Sequence, residues 1–196
     1  MMGSFILSLV IFCAISWTGL ALQCLECLKT DSDTCEGVSV ECPNSAECVV
    51  ISELYHPHDL IKHSIKRGCN TGLPCDSVNY ISNFYDQEIK SYVKCCTEDN
   101  CNTGDYYIPP EPTEHKGKNC TSCYKGGLKE CISDRTAQCL NEDDQCLDYI
   151  GTFKDPDHVT QVQNFKGCGS PLACQYKFGA LIGLEELETM RFTCIQ

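Results

Sequence analysis

Cysteine spacing constrains this chain more than any other feature. From Cys24 the residues Cys27, Cys35, Cys42, Cys48, Cys69, Cys75 and Cys95 form a series that Cys120, Cys123, Cys131, Cys139, Cys146, Cys168, Cys174 and Cys194 repeat, with an offset growing only from 96 to 99. Self-similarity with so little drift marks two homologous modules in tandem. The first closes in Cys95-Cys96-Thr97-Glu98-Asp99-Asn100-Cys101-Asn102. Adjacent cysteines do not readily bridge each other, so Cys95 and Cys96 reach different partners, and Cys101 lies within range of a local bridge to Cys96. The second series stops at Cys194, followed by Ile195-Gln196, without a second cysteine, a closing loop or an Asn.

Nineteen cysteines in 196 residues place the chain among disulfide scaffolds. Residues 1–21 read as a signal peptide: Phe5 to Ile15 is an apolar run too short to span a membrane, and Gly19-Leu20-Ala21 supplies small residues before a cut after Ala21. No Lys or Arg precedes Phe5, which is atypical of such a segment. Its removal takes Cys13 away and leaves 18 cysteines, an even number suited to an oxidising compartment. Residues Glu185 to Gln196 form no hydrophobic tail, so neither a membrane anchor nor a transmembrane helix is expected, and the predicted location is secreted, extracellular. A net charge of −12 argues against nucleic acid or an anionic membrane as partner. It suits a basic protein partner, and equally a surface kept soluble by charge.

The expected domains are 22–104 and 119–196, joined by a linker over 105–118 that contains Pro109-Pro110-Glu111-Pro112. Clustered prolines favour extended polyproline geometry and cannot join a sheet interior. At roughly 80 residues, a module gains little net stability from apolar burial alone. Disulfides, at about 2–4 kcal/mol each, then decide whether it folds. The two modules are expected to fold independently.

Between the cysteines the pattern is strand-like. Cys48 to Tyr55 and Leu60 to Ile65 read as a hairpin around His56-Pro57-His58-Asp59, and Cys146 to Phe153 and Val159 to Phe165 as another around Lys154-Asp155-Pro156-Asp157. Phe178 to Met190 has room for a helical turn or two. The fold class is therefore all-β, small and disulfide-rich.

The cysteine frame and its closing motif resemble the three-finger domain of the lymphocyte antigen 6 and urokinase receptor family. The tandem arrangement, with Leu22-Gln23-Cys24-Leu25-Glu26-Cys27 at the start and Asn164-Phe165-Lys166-Gly167-Cys168 in the second unit, is similar to gamma-type phospholipase A2 inhibitors and to amphibian sodefrin-precursor-like factors. The resemblance implies two tandem three-finger (snake-toxin-like) domains. It also implies the bridges Cys24–Cys48, Cys27–Cys35, Cys42–Cys69, Cys75–Cys95 and Cys96–Cys101, then Cys120–Cys146, Cys123–Cys131, Cys139–Cys168 and Cys174–Cys194. Its functional implication is a non-enzymatic inhibitor of a secreted phospholipase A2, acting by direct contact. The alternative is a secreted signalling ligand, such as a pheromone or a modulator of a cell-surface receptor. Related inhibitors assemble from subunits, so an oligomer is compatible with the resemblance.

Cys24-x2-Cys27 and Cys120-x2-Cys123 have metal-ligand spacing. With every cysteine placed in a disulfide frame, bridging is their expected fate, and no metal or cofactor is expected. No nucleophile elbow or Ser-His-Asp pattern appears. After its cysteine doublet a secreted phospholipase carries a His-Asp pair, where this chain has Thr97-Glu98-Asp99-Asn100, so that enzyme class is excluded. Asn119-Cys120-Thr121 is a glycosylation sequon. Gly68 and Gly167, each preceding a cysteine, are expected at close backbone approaches beside the disulfides. Exposed tips on a rigid cystine hub are the candidate partner contacts: His56, Pro57, His58 and Asp59, Lys154, Asp155, Pro156 and Asp157, with Tyr106 and Tyr107 beside the linker.

Overall fold

The computed structural model describes residues 21–43, 46–56, 61–85, 87–127, 131–133, 135–154, 160–176 and 187–195. The first 20 residues, and with them most of the expected signal segment, lie outside this set.

The first module is built from β1 (Gln23–Thr30), β2 (Val38–Glu41), β3 (Cys48–His56), β4 (Lys62–Cys69), β5 (Ser77–Ser82) and β6 (Glu88–Cys96). The second contains β7 (Asn119–Gly126), β8 (Arg135–Gln138), β9 (Gln145–Lys154), β10 (Thr160–Gly169), α1 (Pro171–Tyr176) and β11 (Leu187–Ile195). Every paired neighbour is antiparallel, as short connections between sequential strands demand. The two long hairpins take the expected register, running from Cys48↔Cys69 to Tyr55↔Lys62 and from Cys146↔Cys168 to Lys154↔Thr160. Each is flanked the same way: β3 pairs with β6 and β4 with β1, while β9 pairs with β11 and β10 with β7.

Nine disulfides cross the two modules. In the first they join Cys24–Cys48, Cys27–Cys35, Cys42–Cys69, Cys75–Cys95 and Cys96–Cys101. In the second they join Cys120–Cys146, Cys123–Cys131, Cys139–Cys168 and Cys174–Cys194. Buried cystines form the centre of each hub, with Cys24, Cys42 and Cys48 in one and Cys120, Cys139 and Cys168 in the other.

Asn102, 1% exposed, closes the first hub. Its Oδ1 accepts from the Leu25 amide at 2.9 Å, and its Nδ2 donates to the carbonyls of Leu25 (2.9 Å) and Val49 (3.1 Å). The Cys96–Cys101 loop therefore delivers a side chain that ties β1 to β3.

The modules are not separate bodies. β10 leaves β7 at Lys166 and then pairs with β5, through Cys168↔Ser82 and Gly169↔Ile81, so one sheet runs through both units. Ser170 extends the join, its amide donating to Tyr80 O at 2.9 Å and its hydroxyl accepting from the Tyr80 amide at 3.3 Å. Apolar packing follows the sheet. Ile81 of β5 is buried in a cluster with Leu147, Tyr149, Phe165 and Ala173, against which Ile89 also packs. Burying one such side chain stabilises by about 1.5–3 kcal/mol, so the junction carries energy of its own.

Gly167 faces this join rather than a disulfide: a Cβ there would overlap the Ser82 carbonyl oxygen. At Gly68, its counterpart in the first module, a Cβ meets nothing within 4 Å, so the expected close approach is absent there.

A helical turn lies ahead of the stretch expected to hold one. Ser170 caps α1, its hydroxyl accepting from the Ala173 amide at 3.2 Å, and Pro171 occupies the first helical position, where its missing N–H costs nothing. Leu187 to Met190 belong to β11 because their backbone pairs with β9, and 178–186 lie outside the described residues.

Candidate binding surface

Residues 101–118 carry neither helix nor strand, yet their backbone is held along one face of the first module's sheet. Arg67 Nη2 donates to Gly104 O at 2.5 Å, the Tyr106 amide to Asp33 O at 2.7 Å, and the Tyr107 amide to Ser52 Oγ at 3.1 Å. The Tyr106 ring lies 4.9 Å from His63, and the Tyr107 ring meets Tyr92 edge-on at 5.8 Å. Farther along, the amides of Lys116 and Gly117 donate to Leu140 O and Cys139 O, both at 3.0 Å, which lays the segment against the second module. The linker expected from its clustered prolines is thus fastened to both modules, with neighbouring residues supplying the donors that proline lacks.

Two clusters, centred on the buried side chains of Lys90 and Asp144, pin this arrangement. On β6, the Lys90 ammonium is 2.8 Å from the Glu88 carboxylate and also bonds Glu111 of the linker. Burial pushes the Glu88 carboxyl up to about 7, against the downward pull of Lys90. Burial acts upward on Glu111 too, but its hydrogen bonds to Lys90 and Glu88 and the charges of Lys90 and His115 together outweigh that and hold it below the ordinary range. In the second cluster the Tyr80 hydroxyl of β5 bonds the Asp144 carboxylate just before β9, fastening module to module. Burial raises both groups, and for the acid the Tyr80 bond and then the Asn141 amide, 2.6 Å from Asp144 Oδ2, only partly offset this.

A cleft of about 480 Å³ opens between these pins, lined by Tyr80, Lys90, the linker from Pro109 to Pro112, Leu140, Asp143, Asp144 and Leu172. A second cavity, about 320 Å³, collects His56, Glu88, Glu111, His115 and Gln138.

The expected contact residues take several positions. His56 is not at an exposed tip: it ends β3, half-buried, and pairs across with Glu88. Pro57, His58 and Asp59 lie outside the described residues, as do Asp155, Pro156 and Asp157. Lys154 ends β9. Tyr106 is also not the exposed tyrosine expected; it is half-buried, and burial followed by the charge of Asp33 lifts its hydroxyl to about 12. Tyr107 is 55% exposed. Asn119 is exposed at the start of β7. Cys24 and Cys27 enter different bridges, as do Cys120 and Cys123, so none offers a thiolate to a metal.

Sequence reasoning passed over Tyr80, Glu88, Lys90, Glu111 and Asp144. A Tyr or a Glu-x-Lys pair in a strand reads as an ordinary solvated face, and only the docking of module, linker and module brings these residues together.

The family model of the u-PAR/Ly-6 domain matches residues 20–104 and again 116–194. The chain belongs to that family. As a tandem u-PAR/Ly-6 domain protein it is a non-enzymatic binding protein with nearly all-β three-finger modules. Phospholipase A2 inhibitor NAI of Notechis ater is 28% identical over 181 residues, 84% of either chain. A phospholipase A2 inhibitor gamma subunit of Elaphe climacophora is 27% identical over 195 residues, 94% of this chain and 93% of that one. The crystal structure of mouse TEX101, 18% identical, aligns over 88% of this chain and 97% of its own with a TM-score of 0.36. No helix among the described residues is long and apolar enough to cross a membrane.

Proposed function

We propose that this u-PAR/Ly-6 domain protein is secreted and inhibits a secreted phospholipase A2 by binding it directly. The observation that carries this reading is the likeness, across both modules and 84% of either chain, to a protein named as a phospholipase A2 inhibitor. The acidity fits a basic enzyme as partner, since opposite net charges speed encounter and make it salt-sensitive. The shared sheet supports it as well: a surface made of both modules and the linker is rigid before the partner arrives, which lowers the entropy lost on binding.

The test adds the disulfide-intact chain to a basic secreted phospholipase A2 hydrolysing phospholipid vesicles. Expected is a fall in rate that saturates at a fixed ratio of chain to enzyme and does not change when vesicle concentration is raised. A rate unchanged across a panel of such enzymes sinks the proposal.

A further inference from the structure

The cleft between the modules carries an unsatisfied carboxylate. Asp144 is 0% exposed; its Oδ2 accepts from the Asn141 amide and from the Tyr80 hydroxyl, while its Oδ1 has no hydrogen-bond partner. Buried polar atoms are rarely left so, and each one calls for an explanation. Asp144 lines the cleft with Asp143 and Glu111, against Lys90, the one cation among the described lining residues. That ammonium is already held by Glu88 and Glu111. Among the described lining residues no further cation faces Asp143 and Asp144, and the groove continues past Leu140 to Glu142 and to Glu114, which pairs with Lys116 at 3.6 Å.

The remaining walls are apolar, from Pro110, Leu140 and Leu172 among others. An apolar slot with an anionic end matches a long aliphatic stem that ends in a cation. We infer that this cleft receives a lysine or arginine side chain projected by a basic protein partner. The inference rests on the inhibitor reading for the identity of that partner, and on the cleft alone for the chemistry. The net charge of −12 draws such a partner in, and the cleft gives the attraction a fixed address.

Surface plasmon resonance of the intact chain tests this with two probes, a basic secreted phospholipase A2 and a hexa-arginine peptide. Asp143→Asn removes a charge from the exposed side of the cleft and leaves the Tyr80–Asp144 bond in place. Asp31→Asn removes an equal charge from the first module at an exposed position whose φ of 52° Asn adopts readily. Expected is a loss of about tenfold for both probes from Asp143→Asn, and less than about twofold from Asp31→Asn. Leu172→Arg, which supplies the cleft with a cation of its own, is expected to abolish both. Equal losses from the two Asp variants overturn the cleft in favour of general attraction. Phospholipase binding that ignores both Asp143→Asn and Leu172→Arg overturns the cleft and leaves the inhibitor reading standing. Peptide binding with the expected sensitivities, but no phospholipase binding, supports the cleft and sinks the inhibitor reading. Binding of neither probe overturns both.

Discussion

Replacing Asn102 with Ala removes the side chain that ties β1 to β3. Three hydrogen bonds are lost, to the Leu25 amide, the Leu25 carbonyl and the Val49 carbonyl. At a net contribution of about 1 kcal/mol each, the bonds alone account for roughly 3 kcal/mol. Asn102 is buried, so backbone groups left without partners and without water raise the expected loss to about 3–5 kcal/mol. For a chain of this size a 3 kcal/mol loss lowers Tm by roughly 6–12 °C. Asn102→Asp separates hydrogen bonding from shape: it keeps volume and acceptor but loses both donors and faces two carbonyls with a charge. It should cost at least as much as Ala at neutral pH. The assay is guanidinium unfolding with all disulfides intact, so that constraints on the unfolded chain cancel between variants. A loss below about 0.5 kcal/mol for Ala, or an Asp variant near wild type, would refute the clamp, since such values are ordinary for an indifferent surface site.

The two glycines ahead of the cysteines should respond oppositely. Gly167→Ala sets a Cβ against the Ser82 carbonyl oxygen, a backbone atom that cannot rotate away, and is expected to cost about 1–3 kcal/mol and speed amide exchange at Gly169 and Ser170. Gly68→Ala enters open space and should stay within about 0.5 kcal/mol in the same melt. Tyr80→Phe leaves Asp144 buried with one donor fewer, for an expected loss of about 1–3 kcal/mol by denaturant titration. Glu88 sets a pH dependence. Its folded carboxyl holds the proton up to about 7, against an ordinary value of 4.5, so its stabilising contribution is full below about pH 4.5 and is lost as pH rises through 7. Asp144 acts in the same direction and Glu111 in the opposite one. Glu88→Gln should flatten the stability profile between those pH values and raise stability at pH 7.5 by on the order of 2 kcal/mol, as read from melts across the range.

The hairpins were legible because strand-forming runs flank proline-bearing turns, and because cysteines at matched positions mark the base of each. The repeat told the two modules apart for the same reason: covalent spacing survives where side chains diverge. What escaped was the docking of one module on the other. Ser82 and Cys168 pair only through backbone groups, which leave no signature in the side-chain pattern. Ile81 reads as one more strand residue until Leu147 and Phe165 close over it. Pro109 to Pro112 suggested an extended linker, and the flanking Tyr106, Tyr107 and Lys116 amides that fasten it are invisible to any composition argument. Ser170-Pro171 did carry a readable helix start, and the leucines and glutamates farther on drew attention from it.

Hydrogen exchange read by mass spectrometry, on the disulfide-intact chain free and saturated with a basic secreted phospholipase A2, tests most directly where the partner sits. Added protection is predicted in the segments that frame the cleft, around residues 107–112, 140–144 and 170–173. Protection confined to residues 56–59 and 154–157, with the cleft segments unchanged, would contradict a cleft-bound partner.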